Sequence, residues 1–371
     1  MNLLSFLKST RAKQLGWAIS MLVVVGMFLL PLHPHYGSTS MLFTLTLMLT
    51  SVAVAINWNI TGGFTGYVDF GHAVWFGLGA YITSMLMAIK VELDTTTLEE
   101  TIVPEGLGTA WGPVPAIIVG GIVTGGFAAL IGRATMRLKG PYFSIAMLGT
   151  LVAVREIVRV AEPITGGGVG LDLPPYLNRP LFYYIELILV VLLALFTWWL
   201  RRSQFGTNLI AIREDEIGAE MRGINTILTK VSAFTFSGFS TGIFGGLWAY
   251  QNTSVDPDIA FIETRTIDAV LGTLFGGIGT VVGPIIGATA LHWVREVLWA
   301  RFPNVHLMFT GFLLIVLVMY LPKGLAGLFD TRSTSLATIW SRKTERASEA
   351  SPAKKAGEEA AKAAAPKEGA I

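Results

Sequence analysis

The run IDAVLGTLFGGIGTVVGPIIGATALHWVREVLW, residues 267–299, decides how many times this chain crosses a membrane. About 20 apolar residues cross roughly 30 Å of hydrocarbon, so this run is too long for one ordinary helix. Gly276-Gly277, Gly279 and Gly283-Pro284 interrupt it. Split at Gly283-Pro284, it supplies two short crossings, one or both of them broken or re-entrant. Such helices are tolerated only where their freed backbone groups face protein or a wet cavity.

Outward from this run, charge-poor stretches at 15–32, 41–59, 68–89, 114–132, 141–160, 181–200, 231–250 and 307–321 read as further spans. The 371 residues are 52% hydrophobic and only 14% charged, against about 25% charged in soluble domains. Lys8, Arg11 and Lys13 precede the first span, which lacks the small-residue cleavage site of a secretory signal and reads as a retained helix. These cations place the N-terminus in the cytoplasm. Segments 133–139 and 201–230, with Arg133, Arg137, Lys139, Arg201, Arg202, Arg213, Arg222 and Lys230, then fall inside, and acidic Val91 to Glu105 falls outside. Lys323, Arg332, Arg342 and Lys343 also ask for the inside, so the number of crossings must be even.

The expected fold is an all-α polytopic membrane protein of about ten transmembrane helices, both termini cytoplasmic. It divides into a cytoplasmic N-terminus at 1–14, a membrane domain at 15–325 and a disordered Ala/Lys/Glu-rich cytoplasmic tail at 331–371. Trp17, Trp58, Trp111, Trp198, Trp199 and Trp299 fall at the proposed span edges, where amphipathic rings prefer to sit. Gly77, Gly79, Gly120, Gly121, Gly125, Gly126, Gly242, Gly245 and Gly246 lie in spans and read as close-packing surfaces.

The chemistry of an enzyme is missing. There is no Gly-Lys dipeptide, hence no phosphate loop of the Gly-x4-Gly-Lys-Ser/Thr type, and this chain does not hydrolyse ATP by that route. Zero cysteines exclude a thiolate nucleophile and a Cys-ligated metal, and the five histidines include no His-Glu-x-x-His. Gly238-Phe-Ser240-Thr-Gly242 lies within a helical run, not on a strand-to-helix turn, so it is not a hydrolase elbow. No catalytic or metal site and no nucleic-acid partner is indicated. Ionisable residues lie near the span ends: Glu186 at headgroup level, Arg295 and Glu296 neutralising each other, and Glu156 either pairing with Arg155 and Arg159 or facing a solute path. The spans read as a passive, glycine-rich conduit that holds its solute weakly and draws energy from outside. A stand-alone channel or ion-coupled carrier is the alternative of a different class.

Two stretches carry candidate function. From Leu209 to Met221 the spacing is helical, with Ile212, Ile217, Ala219 and Met221 supplying apolar contacts and Arg213, Glu214, Asp215, Glu216 and Glu220 pointing to water. Gly223 then suits the left-handed residue that ends a helix. So short a helix needs a packing partner; the plainer alternative is a charged connector. From Thr61 to Tyr81, glycines beside Asn57, Asn59, Thr61, Thr65, Asp69 and His72 either expose dipoles to a zwitterionic solute or form a tightly packed helix start with Asp69 as N-cap. Packing is the first reading.

Three stretches together resemble a known family: TGGFTGYVDFGHAVWFGLGAY (61–81); KGPYFSIAMLGT (139–150) with TGGGVGL (165–171); and Phe205-Gly206 to Gly223-Ile224-Asn225, resuming in LFGGIGTVVGPIIGA (274–288). They are similar to the LivH/LivM family of branched-chain amino acid ABC transporter permeases, and the Arg-Glu-Asp-Glu loop looks more like LivM. Pro141 departs from the pattern. The resemblance covers about residues 40 to 325. It implies a multi-pass inner-membrane permease for branched-chain or similar small amino acids, with urea or short amides as variants. It further implies a second homologous permease, two cytosolic ATP-binding subunits that bind the ATP, an extracytoplasmic substrate-binding protein, and no cofactor in this chain. In Arg213-Glu-Asp-Glu216-x-x-Ala219-x-x-x-Gly223-Ile224 it implies the loop that docks the ATPase; Asn57, Thr61, Thr65, His72 and Glu156 are the candidates for the translocation path.

Overall fold

A computed structural model describes residues 22–33, 38–93, 100–104, 112–174 and 178–302, with Met308 and Gly311. The chain divides into two units, Met1–Ala326 and Gly327–Ile371. The N-terminus at 1–14, Trp17, Trp111, nearly all of the 307–321 span, the second unit and its tail lie outside the described residues.

The described chain is helical apart from one small sheet. In order it forms α1 (Leu22–Leu32), α2 (Thr39–Trp58), α3 (Ala73–Met87), β1 (Ile89–Leu93), β2 (Glu100–Pro104), α4 (Pro113–Thr135), α5 (Pro141–Val160), α6 (Glu162–Thr165), β3 (Leu171–Asp172) and α7 (Arg179–Arg202). There follow α8 (Gln204–Glu214), α9 (Glu216–Met221), α10 (Thr226–Asn252), β4 (Ser254–Val255), α11 (Pro257–Ala260), α12 (Glu263–Gly276) and α13 (Val282–Arg301). Among the described residues three helices, Thr39–Gly63, Pro113–Thr135 and Arg179–Arg202, are long and apolar enough to cross a membrane. Pro113 and Pro141 open α4 and α5, where a missing N–H costs no hydrogen bond; this is how the departing Pro141 is accommodated. Asn178 and Asn225 cap α7 and α10 by accepting from the N–H groups of Leu181 and Leu228.

α10 is the central post, packed along α3 and α4. Glycines make this close approach: a Cβ at Gly79 would sit 2.1 Å from the Gly242 carbonyl oxygen, and one at Gly245 2.1 Å from that of Phe76. Gly126, by contrast, meets nothing, so it takes no part in that packing. Apolar side chains such as Leu130, Ile145 and Leu192 point outward from α4, α5 and α7, the pattern lipid favours.

Two features depart from the sequence expectation. The strands pair antiparallel in the order β2-β1-β3-β4, with Ile89 opposite both Pro104 and Asp172 and Leu171 opposite Val255. Polar loops beyond the helix ends thus satisfy their backbone groups on one another, and the molecule is not strictly all-α. The run 267–299 does break into two helices, α12 and α13, packed antiparallel, yet the break lies at Gly277–Val281 and not at Gly283-Pro284. Pro284 sits in the first turn of α13, where proline is tolerated, while Gly277 and Gly279 take the positive φ values that reverse the chain.

Candidate functional site

The helix following Asn57 does not stop cleanly. α2 widens into a π-helical turn, Asn59–Gly63, the kind of irregularity that accompanies functional sites. A non-helical segment, Gly66 to Asp69, and a turn at residues 70–72 then lead to α3. Tyr67 lies beside Lys230 and His72 beside Thr241, so the segment follows α10, with Tyr67, Asp69 and His72 buried. Its polar groups are met by protein: Trp58 Nε1 donates to the Asp69 carbonyl (2.9 Å), Ser144 Oγ to the Val68 carbonyl (2.6 Å), and the Gly71 N–H donates to Asp69 Oδ1 (2.9 Å). Asp69 thus caps the turn that leads into α3.

The two helix breaks meet. Asn59 Oδ1 accepts from the Gly279 N–H (2.8 Å), and its Nδ2 donates to the Thr280 carbonyl (2.8 Å). Arg213, at the end of α8, reaches into the same junction and donates from Nη1 to the Gly63 carbonyl (2.9 Å). A Cβ at Gly279 would sit 2.5 Å from that Nη1, and one at Gly66 2.8 Å from Arg213 Cγ. Only glycine admits the arginine there.

Beside this junction, Glu216 is clamped. Lys230 is 1% exposed; its Nζ donates to Glu216 Oε1 (2.6 Å), the Tyr67 hydroxyl (2.9 Å) and the Met136 carbonyl (3.0 Å). Tyr67 in turn donates to Glu216 Oε2 (2.5 Å). Burial pushes the Glu216 carboxyl up, but the Lys230 and Tyr67 hydrogen bonds and the Lys230 charge outweigh it and hold the carboxyl below its ordinary value. Burial and the adjacent carboxylate raise the Tyr67 phenol. The carboxylate thereby ties α9 to α10 and to the segment before α3, and Lys230 adds the end of α4.

These facts correct the sequence reading of the loop. Residues 209–221 are not one helix: Asp215 is extended, and α8 and α9 diverge at it. Ile212 and Ala219 pack inward as expected, but Ile217 and Met221 are exposed and Glu216 faces inward, because the break turns α9 about its axis. Gly223 takes φ +83°; its N–H bonds the Glu220 carbonyl and that of Ile224 the Ala219 carbonyl, which closes α9 with a left-handed cap. Arg213, Glu216 and Ala219 therefore fix the loop to the bundle, whereas Ile217, Met221 and neighbouring Leu228 face outward.

The path candidates scatter. Thr61 Oγ1 donates to the Trp58 carbonyl and Thr65 Oγ1 to that of Thr61. His72 is held between Asp69 (3.0 Å) and Thr241 (3.1 Å). Glu156, apart from these, pairs with Arg155 and Arg159, which also reach Glu263 and Asp258. Of the five, only Asn57 is buried with both side-chain polar atoms unpartnered. One further expectation fails: Trp58 is buried, not at a lipid edge. Glu186 is fully buried in protein, bonded by Thr50 of α2 and Gln251 of α10. Tyr67, Lys230 and Asn59 carry the junction; in sequence, only Lys230's place within an otherwise apolar helix marked it, since its partners are far away in the chain.

Comparison with known proteins agrees with the architecture. A family model described as branched-chain amino acid transport system / permease component matches residues 40–318. The chain is 26% identical over 312 residues to the high-affinity branched-chain amino acid transport system permease protein LivM of Salmonella typhimurium, covering 76% of this chain and 68% of the relative, and equally so to that of Escherichia coli. It is 27% identical over 312 residues, 80% of each chain, to the autoinducer 2 import system permease protein LsrC of Salmonella paratyphi A. No solved structure matches.

Proposed function

Since the chain belongs to the family of branched-chain amino acid transport system permease components, we propose that it is the LivM-like permease of an inner-membrane ABC importer for branched-chain or similar small amino acids. It crosses the membrane ten times with both termini cytoplasmic and pairs with a second, related permease. Two cytosolic ATP-binding subunits supply the energy, and an extracytoplasmic binding protein delivers the substrate. The observation that carries this reading is the α8–α9 loop, held by Arg213 on the Gly63 carbonyl at the junction of the helix breaks and by Glu216 on Lys230 and Tyr67, while Ile217 and Met221 stand exposed. Movement imposed on the outer face by a docked ATPase reaches Gly63 through Arg213 and α10 through Glu216, with no substrate contact needed.

ATP-dependent uptake of labelled leucine by proteoliposomes holding the assembled complex tests the reading, with isoleucine and valine as competitors. Uptake of autoinducer 2 in place of leucine would favour the second reading that the LsrC similarity supports, and preference for urea or short amides would move the substrate within the family. Leucine flux without ATP or ATPase subunits would sink the importer reading in favour of a channel or ion-coupled carrier.

A further inference from the structure

Between α2, α12 and α13 lies a cavity of about 300 Å³, at the lower limit of small-molecule clefts. The sequence reading expected Arg295 and Glu296 to neutralise each other; instead Arg295 pairs with Asp268 one helix away. Glu296, which also lines the cavity, is thereby left without a cation among the described residues. Arg265 lines it too, its guanidinium 3.8 Å above the Phe76 ring and 5.0 Å from that of Trp248, its Nε buried without an acceptor and no described carboxylate paired with it. His292 adds a second buried unpartnered atom, Nε2.

An uncompensated charge inside a membrane bundle is costly and is kept where it does something; Arg265, with its buried Nε, is such a charge, and part-buried Glu296 stands on the same cavity wall. The aromatic faces hold the guanidinium flat without neutralising it, which presents its donor fork to a planar anion. One cation and one carboxylate without partners among the described residues, in a space of this size, complement a small zwitterion. We infer that this cavity is a binding station for an α-amino acid, its carboxylate on Arg265 and its ammonium on Glu296, with His292 Nε2 as an additional polar contact. The inference rests on the permease reading for its substrate class; the two unmatched charges stand independently of it.

The test is equilibrium binding to the full chain in lipid nanodiscs, read by saturation-transfer NMR at millimolar ligand. L-leucine should bind, and L-leucinamide, which lacks the carboxylate, at least tenfold more weakly; this arm needs no variant. Arg265→Met should lose at least tenfold for both leucine and 4-methylvalerate, whereas Glu296→Gln should lose as much for leucine and leave 4-methylvalerate unchanged. Equal binding of leucine and leucinamide, no saturable leucine binding, or variants that bind as the parent would overturn the site. Transport separates the two claims. If the assembled complex imports leucine and both variants import it unchanged, the site falls and the permease reading stands. If the binding pattern holds but the complex imports no amino acid, the site stands and the permease reading falls.

Discussion

The α8–α9 junction and the α12–α13 cavity both place charge inside the bundle, and they resolve it in opposite ways. At the junction, Lys230 spends its donors on Glu216, Tyr67 and Met136, and Arg213 is seated on Gly63. In the cavity, Arg265 rests on aromatic faces and Glu296 has no described cation. Matched charge fixes a shape, because separating it exposes an uncompensated ion. Unmatched charge leaves the shape to packing and the charge to a ligand. The contrast predicts that junction residues matter for stability and cavity residues for binding.

The largest effect should come from Glu216→Leu, which strands a buried Lys230 and should cost about 3–5 kcal/mol in denaturant unfolding of the full chain in detergent. Adding Lys230→Met should recover most of that loss. If the double variant is no more stable than the single one, the junction is not held by this pair. Next, Gly223→Val forces a β-branched residue into φ +83°, at about 1–2 kcal/mol; faster tryptic cleavage after Arg222, with weaker co-purification of the ATP-binding subunits, would show it.

Acidification probes the same junction more gently. The Glu216 carboxyl is held below its ordinary value of 4.5 in the folded protein, so its contribution is fully present above that value and is lost as pH falls through the lower folded one. Protection of the α9 amides, taken relative to their intrinsic exchange rates, should be flat from neutral pH to about 4.5 and fall below it; a fall already at pH 6 would assign the clamp to another group. The smallest effect belongs to the cavity. Arg265→Met removes a charge with no described partner and should leave stability unchanged or slightly raised, and a loss like that of Glu216→Leu would place Arg265 among the structural charges and erase the contrast.

Much of the helical framework was legible from the chain alone. The stretches 114–132, 141–160, 181–200 and 231–250 became α4, α5, α7 and α10 with ends shifted by a few residues, since the length of an apolar run and its Gly/Pro punctuation are local properties. The cap at Gly223 was legible for the same reason. Which charge meets which was not. Arg295 chose Asp268 over its neighbour Glu296, Glu216 turned to Lys230 and Tyr67, and Asn59 bridged to Gly279 and Thr280. Composition and spacing along one chain determine which segments bury themselves. The partners of a buried ion depend on which faces of distant helices are brought within about 3 Å, the range over which a hydrogen bond decides, and only the assembled tertiary structure sets that.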